Sequence, residues 1–187
     1  QVEGAARRLK KEGVDLIFAS DVVRTKETAE IVASVLGVKK IKFDPRLREI
    51  NTGVFEGKRP HEYHSFFSSR LEKFSKRPPG GETVAELRTR LMDLLEDTEQ
   101  RFTGKTILIV SHEYPLWMLY TGASGLTDEE AVALKENKSN EDFIRFAEIL
   151  AMPYKLLPRN NSRAIDFHRP YVDEVQLFCG CGGKAQR

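Results

Sequence analysis

Three ionisable side chains stand where this sequence is expected to leave its regular elements: Arg24, Glu49 and His112. Ser20-Asp21-Val22-Val23-Arg24 puts an arginine at a strand-to-helix junction, where a helix N-terminus and a guanidinium can share a phosphate. Leu47-Arg48-Glu49-Ile50-Asn51-Thr52-Gly53 puts a carboxylic acid in a loop whose glycine permits close backbone approach. His112 follows a β-branched run directly, which places an imidazole at the mouth of a sheet. Singly, two have a plainer role, a solvated arginine and a salt-bridging glutamate, while a histidine at the mouth of a sheet is less ordinary. Together they place a guanidinium, a carboxyl and an imidazole at strand ends and in one loop, outside the regular elements.

The elements that must position these groups can be read from periodicity and punctuation. Val2, Ala5, Ala6 and Leu9 form one stripe ahead of Gly13, the pattern of a helix end. Leu16-Ile17-Phe18-Ala19 suits a buried strand, with Ser20-Asp21 available to cap a helix that runs to about Leu36 and stops at Gly37. Ile41-Lys42-Phe43 predicts a second strand, and Asp44 to Gly57 a loop. An aromatic-rich helix is expected from about Arg59 to Phe74, with His61 and His64 on its surface and Phe66, Phe67 and Phe74 as its core. Pro78-Pro79-Gly80-Gly81 then breaks the chain. Thr83-Val84-Ala85-Glu86 fits a capping box, and Val84, Leu87, Leu91, Leu94 and Leu95 continue one apolar face. Thr106 to Val110 predicts a strand buried on both faces; helices through Trp117 and from Asp128 to Lys135 follow, and Phe143 to Ile149 is expected to be a final strand. Strands alternating with helices predict an α/β fold of three layers, α/β/α, around a mostly parallel sheet. In such sheets ligands bind beyond the carboxyl ends of the strands, so Ser20 to Arg24 and Ser111-His112 should face one edge.

Composition excludes several classes. The 187 residues suffice for one domain with a tail, and 30 basic against 28 acidic residues leave a net charge of +2, too little for general nucleic-acid affinity. No apolar run reaches the roughly 20 residues that span a bilayer, and no secretory leader is visible, so a cytoplasmic setting without a membrane partner is expected. Gln1 is not Met, and the chain reads as cut from something longer.

The order and spacing of the motifs resemble the histidine phosphatase (phosphoglycerate mutase-like) superfamily. That family has a strand ending Arg-His-Gly, then Ser-x-x-x-Arg-x-x-x-Thr-Ala, a Leu-x-Glu loop ending Gly-x-x-Glu-Gly, Pro-x-Gly-Gly-Glu-Ser/Thr, and a strand ending Val-Ser-His. The last four stand here as Ser20 to Ala29, Leu47 to Gly57, Pro79 to Thr83 and Val110 to His112. The resemblance implies phosphoryl transfer through phosphohistidine without a cofactor or metal. Arg24 and His112 would hold the phosphoryl oxygens of a small phosphorylated metabolite, and Glu49 would protonate the leaving oxygen. Arg-His-Gly does not occur in the 187 residues. The expectation is therefore a domain truncated at its N-terminus that binds phosphate poorly and is inactive as given. Where the family commonly has Gly or Ala after the second histidine, this chain has Glu113. A carboxylate about 5 Å from a phosphate would repel it by roughly 3 kcal/mol at an effective dielectric of about 20, provided that it points inward.

Residues 152–187 break the pattern. Ala164-Ile165-Asp166-Phe167-His168-Arg169-Pro170-Tyr171-Val172-Asp173 resembles a segment of the catalytic domain of isoleucyl-tRNA synthetases, with Cys181-Gly182-Gly183 as the turn that follows it there. This implies that residues 1–151 are a partial phosphatase-like insert and 152–187 a connector returning into an isoleucine-tRNA ligase. In that parent, Cys179 and Cys181 could form half of a zinc knuckle, ATP would bind only through regions absent here, and tRNA would be a partner. The alternative within the same resemblance is a non-catalytic, tRNA-contacting or spacer insert.

Overall fold

The computed structural model describes residues 1–138 and 143–152. Strand β1 (Leu16–Ala19) is buried at all four positions, as its unbroken apolar run requires. It lies between β2 (Ile41–Phe43) and β3 (Ile107–Val110) in a parallel sheet of order β2-β1-β3. Because side chains alternate across a strand, Leu16 and Phe18 enter one core while Ile17 and Ala19 enter another. The first core is packed by α4 (Val84–Arg101), α5 (Glu113–Ala123) and α6 (Asp128–Glu136); the second by α1 (Val2–Arg8) and α2 (Val23–Leu36). This is the expected α/β/α arrangement. Among the described residues no helix is long and apolar enough to cross a membrane.

Several local signals take the predicted form. The Thr83 hydroxyl accepts from the Glu86 amide at 3.1 Å, and the Glu86 carboxylate accepts from the Thr83 amide at 2.9 Å, closing the capping box of α4. Gly37 ends α2 in the left-handed region, where a Cβ is penalised.

Other expectations fail for identifiable reasons. Ser20 and Asp21 do not cap α2; Val22 takes that position, while the Ser20 hydroxyl faces His112 and the Asp21 carboxylate is held by Arg48. The aromatic segment is not one helix. It forms α3 (Pro60–Ser65) and a separate turn of 3-10 helix at Leu71–Phe74. Between them the Ser68 amide and hydroxyl both donate to the Glu72 carboxylate, so side chains satisfy backbone groups that a continuous helix would use. β3 is half-buried rather than buried, because only β1 has a strand on each side among the described residues. Phe143 to Ile149 forms no strand: the Phe143 amide donates to the Glu113 carboxylate and its carbonyl accepts from Lys138, in place of a ladder.

Candidate active site

β1 and β3 run in register, Ala19 opposite Val110, so the residues that follow them emerge side by side. The Ser20 amide continues the ladder by donating to the Val110 carbonyl at 3.0 Å. One step on, Arg24 in the first turn of α2 meets His112, which opens α5. Arg24 Nη2 donates to His112 Nδ1 at 2.8 Å. A guanidinium cannot accept, so Nδ1 carries the lone pair and the ring proton sits on Nε2, which donates to Ser20 Oγ at 3.0 Å. Burial, with Arg24 and Arg90 close by, pushes the imidazole down to about 4. His112 is therefore neutral near pH 7, a fixed tautomer only 7% exposed.

Glu49 reaches this place on a loop tied down at several points. The Ser111 hydroxyl donates to the Leu47 carbonyl at 2.7 Å, and Arg48 makes two hydrogen bonds to Asp21 at 2.6 and 2.5 Å. Arg90 of α4 donates to the carbonyls of Arg46, Arg48 and Glu49, and is itself held by Glu82. The glycine motifs meet directly. The Val54 amide donates to the Pro79 carbonyl at 3.0 Å, the Glu82 amide to the Asn51 carbonyl at 2.9 Å, and a Cβ on Gly81 would stand 2.6 Å from the Asn51 carbonyl oxygen. Gly53, at φ +60°, would drive a Cβ into the Pro79 carbonyl. The Pro-Pro-Gly-Gly-Glu turn thus acts as the bed of the Glu49 loop.

The Glu49 carboxyl accepts from the Ile50 amide at 2.9 Å. Burial pushes it up to about 7, helped by repulsion from Glu113 and opposed by the amides of Ile50 and Tyr114 and by Arg24. A carboxyl poised there can hold a proton near neutrality and release it. Glu113, which an inward orientation would have set against a bound anion, turns instead to Lys135 and to the Phe143 amide, the latter at 2.9 Å. The predicted repulsion of phosphate does not apply to this orientation.

Sequence reasoning missed the buried polar groups behind the site. Lys73 is 4% exposed, hydrogen-bonded to the Tyr114 hydroxyl at 2.9 Å and to His64 Nδ1 at 2.6 Å. Burial, with Arg70 and Lys135 nearby, pushes Lys73 down to about 7, and burial beside Lys73 lowers His64. His61 and His64 are both exposed, as expected, although the His64 ring reaches Lys73. Ser20 and Arg90 carried one usable signal each: a small hydroxyl at a strand end, and an arginine one helical face away from the Gly-Gly-Glu turn.

An arginine, a neutral histidine and a protonatable carboxyl gather at the carboxyl edge of a parallel sheet beside two helix N-termini, the place where α/β proteins hold their ligands. The family model of the histidine phosphatase superfamily (branch 1) matches residues 1–140, and the chain belongs to that family. A probable phosphoglycerate mutase from Yersinia enterocolitica is 30% identical over 94% of this chain and 84% of its own length. Among solved structures, Bacillus stearothermophilus YhfR matches with TM-score 0.60 and 26% identity, covering 70% of this chain and 66% of that one. A mycobacterial glucosyl-3-phosphoglycerate phosphatase matches with TM-score 0.62 and 22% identity, over 71% and 69%, which shows the shared fold.

These matches overturn the synthetase reading. An alignment over 94% of the chain to a phosphoglycerate mutase-like relative extends past residue 152, into the segment assigned to an isoleucine-tRNA ligase. The tRNA partner, the ATP and zinc of a ligase parent, and the spacer role fall with it. So does the expectation of an inert ligase fragment, since the relative matched over that length is itself named as a mutase. Cys179 and Cys181 lie outside the described residues; within those, no group of three or more His, Cys, Asp or Glu could hold a metal ion.

Proposed function

We propose that this protein acts on a small phosphomonoester, hydrolysing it or transferring its phosphoryl group through a phosphohistidine. The observation that carries the reading is the contact of Arg24 with His112, with the half-buried Glu49 carboxyl beside them. Phosphoryl transfer needs charge neutralisation and positioning more than covalent help from the pocket. Arg24 supplies a permanent positive charge. His112 is neutral in the free site and carries its proton on Nε2, a hydrogen that a phosphoryl oxygen can take over from Ser20 Oγ. Glu49, protonated for much of the neutral range, gives its proton to the leaving oxygen. The resemblance assigns the attack on phosphorus to the histidine of Arg-His-Gly, a tripeptide absent from the 187 residues. The names of two relatives, a phosphoglycerate mutase and a glucosyl-3-phosphoglycerate phosphatase, favour phosphorylated glycerate derivatives as the first substrates to try.

Calorimetric binding of orthovanadate and inorganic phosphate, with turnover of a phosphomonoester panel, tests this. Arg24→Ala and His112→Ala should each weaken oxyanion binding at least about tenfold, and cut any turnover about a hundredfold. Absence of oxyanion binding in the parent protein, or full affinity in both variants, refutes the reading.

A further inference from the structure

A second concave place lies between β2 and the C-terminal half of α4, a cavity of about 250 Å³. None of the residues that line it belongs to the group formed by Arg24, Glu49 and His112. Phe18, Phe43, Leu94 and Phe102 give it an apolar wall, with the Phe18 and Phe102 rings edge to face at 6.0 Å. Its charges are unequal: Lys42, Arg46 and Arg101 stand against Asp44 and Asp97. Arg46 alone answers both carboxylates, each at 2.8 Å. Among the described residues Lys42 and Arg101 have no carboxylate partner; Lys42 lies instead over the Phe102 ring, 4.8 Å from its centroid. Lys26 reaches over the Phe43 ring from α2 at 5.2 Å and adds another positive charge at the rim.

We infer that this cavity binds a small aromatic carboxylate, and that the Glu49 loop responds when it is filled. The ligand class follows from the walls. Ring faces and a leucine receive a flat apolar body, and two cations left unmatched by acids receive its anion. A cationic ligand would meet those same side chains and only carboxylates that Arg46 already holds. The volume falls just below the usual range of about 300–1,000 Å³ for ligand pockets, which suits one ring or a fused pair and excludes a dinucleotide. The link to the loop is short. Asp44 and Arg46 line the cavity, and Arg46 stands three residues before Glu49. The Leu47 amide donates to the Asp44 carbonyl at 3.0 Å, and Arg90, which grips the carbonyls of Arg48 and Glu49, also takes that of Arg46. A carboxylate drawn in by Lys42 and Arg101 competes with Asp44 and Asp97 for the Arg46 guanidinium, so it disturbs an anchor of the acid loop. Any effect on turnover rests on the role proposed above for Glu49; binding does not.

Calorimetric titration of the ligand-free protein with benzoate and 2-naphthoate, with benzamide as the uncharged control, tests the site. The carboxylates should bind with a dissociation constant on the order of 1 mM, ordinary for ligands of about ten heavy atoms, and equally well under saturating orthovanadate. Benzamide should bind at least about tenfold more weakly. Lys42→Gln and Arg101→Gln, both at exposed side chains, should each weaken the carboxylates about threefold to fivefold and leave orthovanadate binding unchanged. Amide resonances of residues 46–49 should shift along the same titration, and in turnover kcat should fall while KM changes little. No saturable binding, equal affinity for benzamide, full affinity in both variants, displacement by orthovanadate, or unmoved resonances at residues 46–49 each overturns the inference. Carboxylate binding with all these properties, in a protein that binds no orthovanadate and turns over no phosphomonoester, would leave the site standing and refute the proposed function instead.

Discussion

Replacing Glu49 by Gln should stabilise the fold, and increasingly so as pH rises. In the unfolded chain this carboxyl ionises around its ordinary value of 4.5, whereas in the folded protein burial and Glu113 hold it protonated to about 7. Below 4.5 both states carry the proton and Glu49 costs nothing. As pH climbs toward 7 the unfolded state releases a proton that the folded state retains, and stability falls with each step. The two values differ by about two and a half pH units, which at 1.36 kcal/mol per unit sets an upper limit of about 3 kcal/mol. Gln cannot ionise, and its amide oxygen can still accept from the Ile50 amide. The variant's advantage over the parent should therefore open above pH 4.5 and level off above 7. In a domain of this size each kcal/mol is worth about 2–4 °C, so a Tm gap of up to about 10 °C should appear between pH 4.5 and 8.5. Urea titrations of both proteins across that range measure it directly. The same variant should lose about a hundredfold or more in turnover, as expected for a removed general acid. A gap that is flat with pH, or that narrows as pH rises, would refute the assignment of a proton-retaining carboxyl at Glu49.

His112 should show the opposite slope. Its folded value near 4 lies below its ordinary 6.5, so the unfolded state takes up a proton first on acidification; stability should be complete above 6.5 and decline by up to about 3 kcal/mol as pH falls through 4, and His112→Gln should flatten that decline in urea titrations. Gly53→Ala should cost at least about 2 kcal/mol in the same assay, since φ +60° and the Pro79 carbonyl both oppose a Cβ, and should depress kcat by displacing the Glu49 loop; a near-neutral effect on both would show that the loop has room to yield.

Much of the scaffold was legible because its signals are local. A capping box lies within four residues, and the burial of Leu16–Ala19 is written in an unbroken apolar run. The positions of Arg24 and His112 followed from the rule that ligands gather beyond strand ends. What escaped notice depends on partners far apart in sequence. Nothing near Glu113 announces that Lys135 will answer it, and nothing in Ser20 distinguishes a cap from a hydroxyl turned toward an imidazole 92 residues away. The expected final strand failed because Phe143 spends its backbone groups on side chains, a choice that strand propensity does not encode. The synthetase resemblance failed for a related reason. A short linear match says nothing about pairing with the rest of the chain, and the longer alignment to phosphoglycerate mutase-like proteins carries more weight.

The meeting of Gly53 with the Gly80-Gly81 turn bears on how such a site can change by descent. Most packing errors can be repaired by trimming a neighbouring side chain, but around Gly53 the neighbours are all main chain, and at Gly81 main chain crowds as closely as the Pro78 ring. Mutation at either site is therefore epistatic with the whole course of the opposing loop. A lineage can exchange the residues that select its substrate while this junction stays closed to drift, so the empty positions, more than the acid they support, would record common ancestry among proteins whose substrates have diverged.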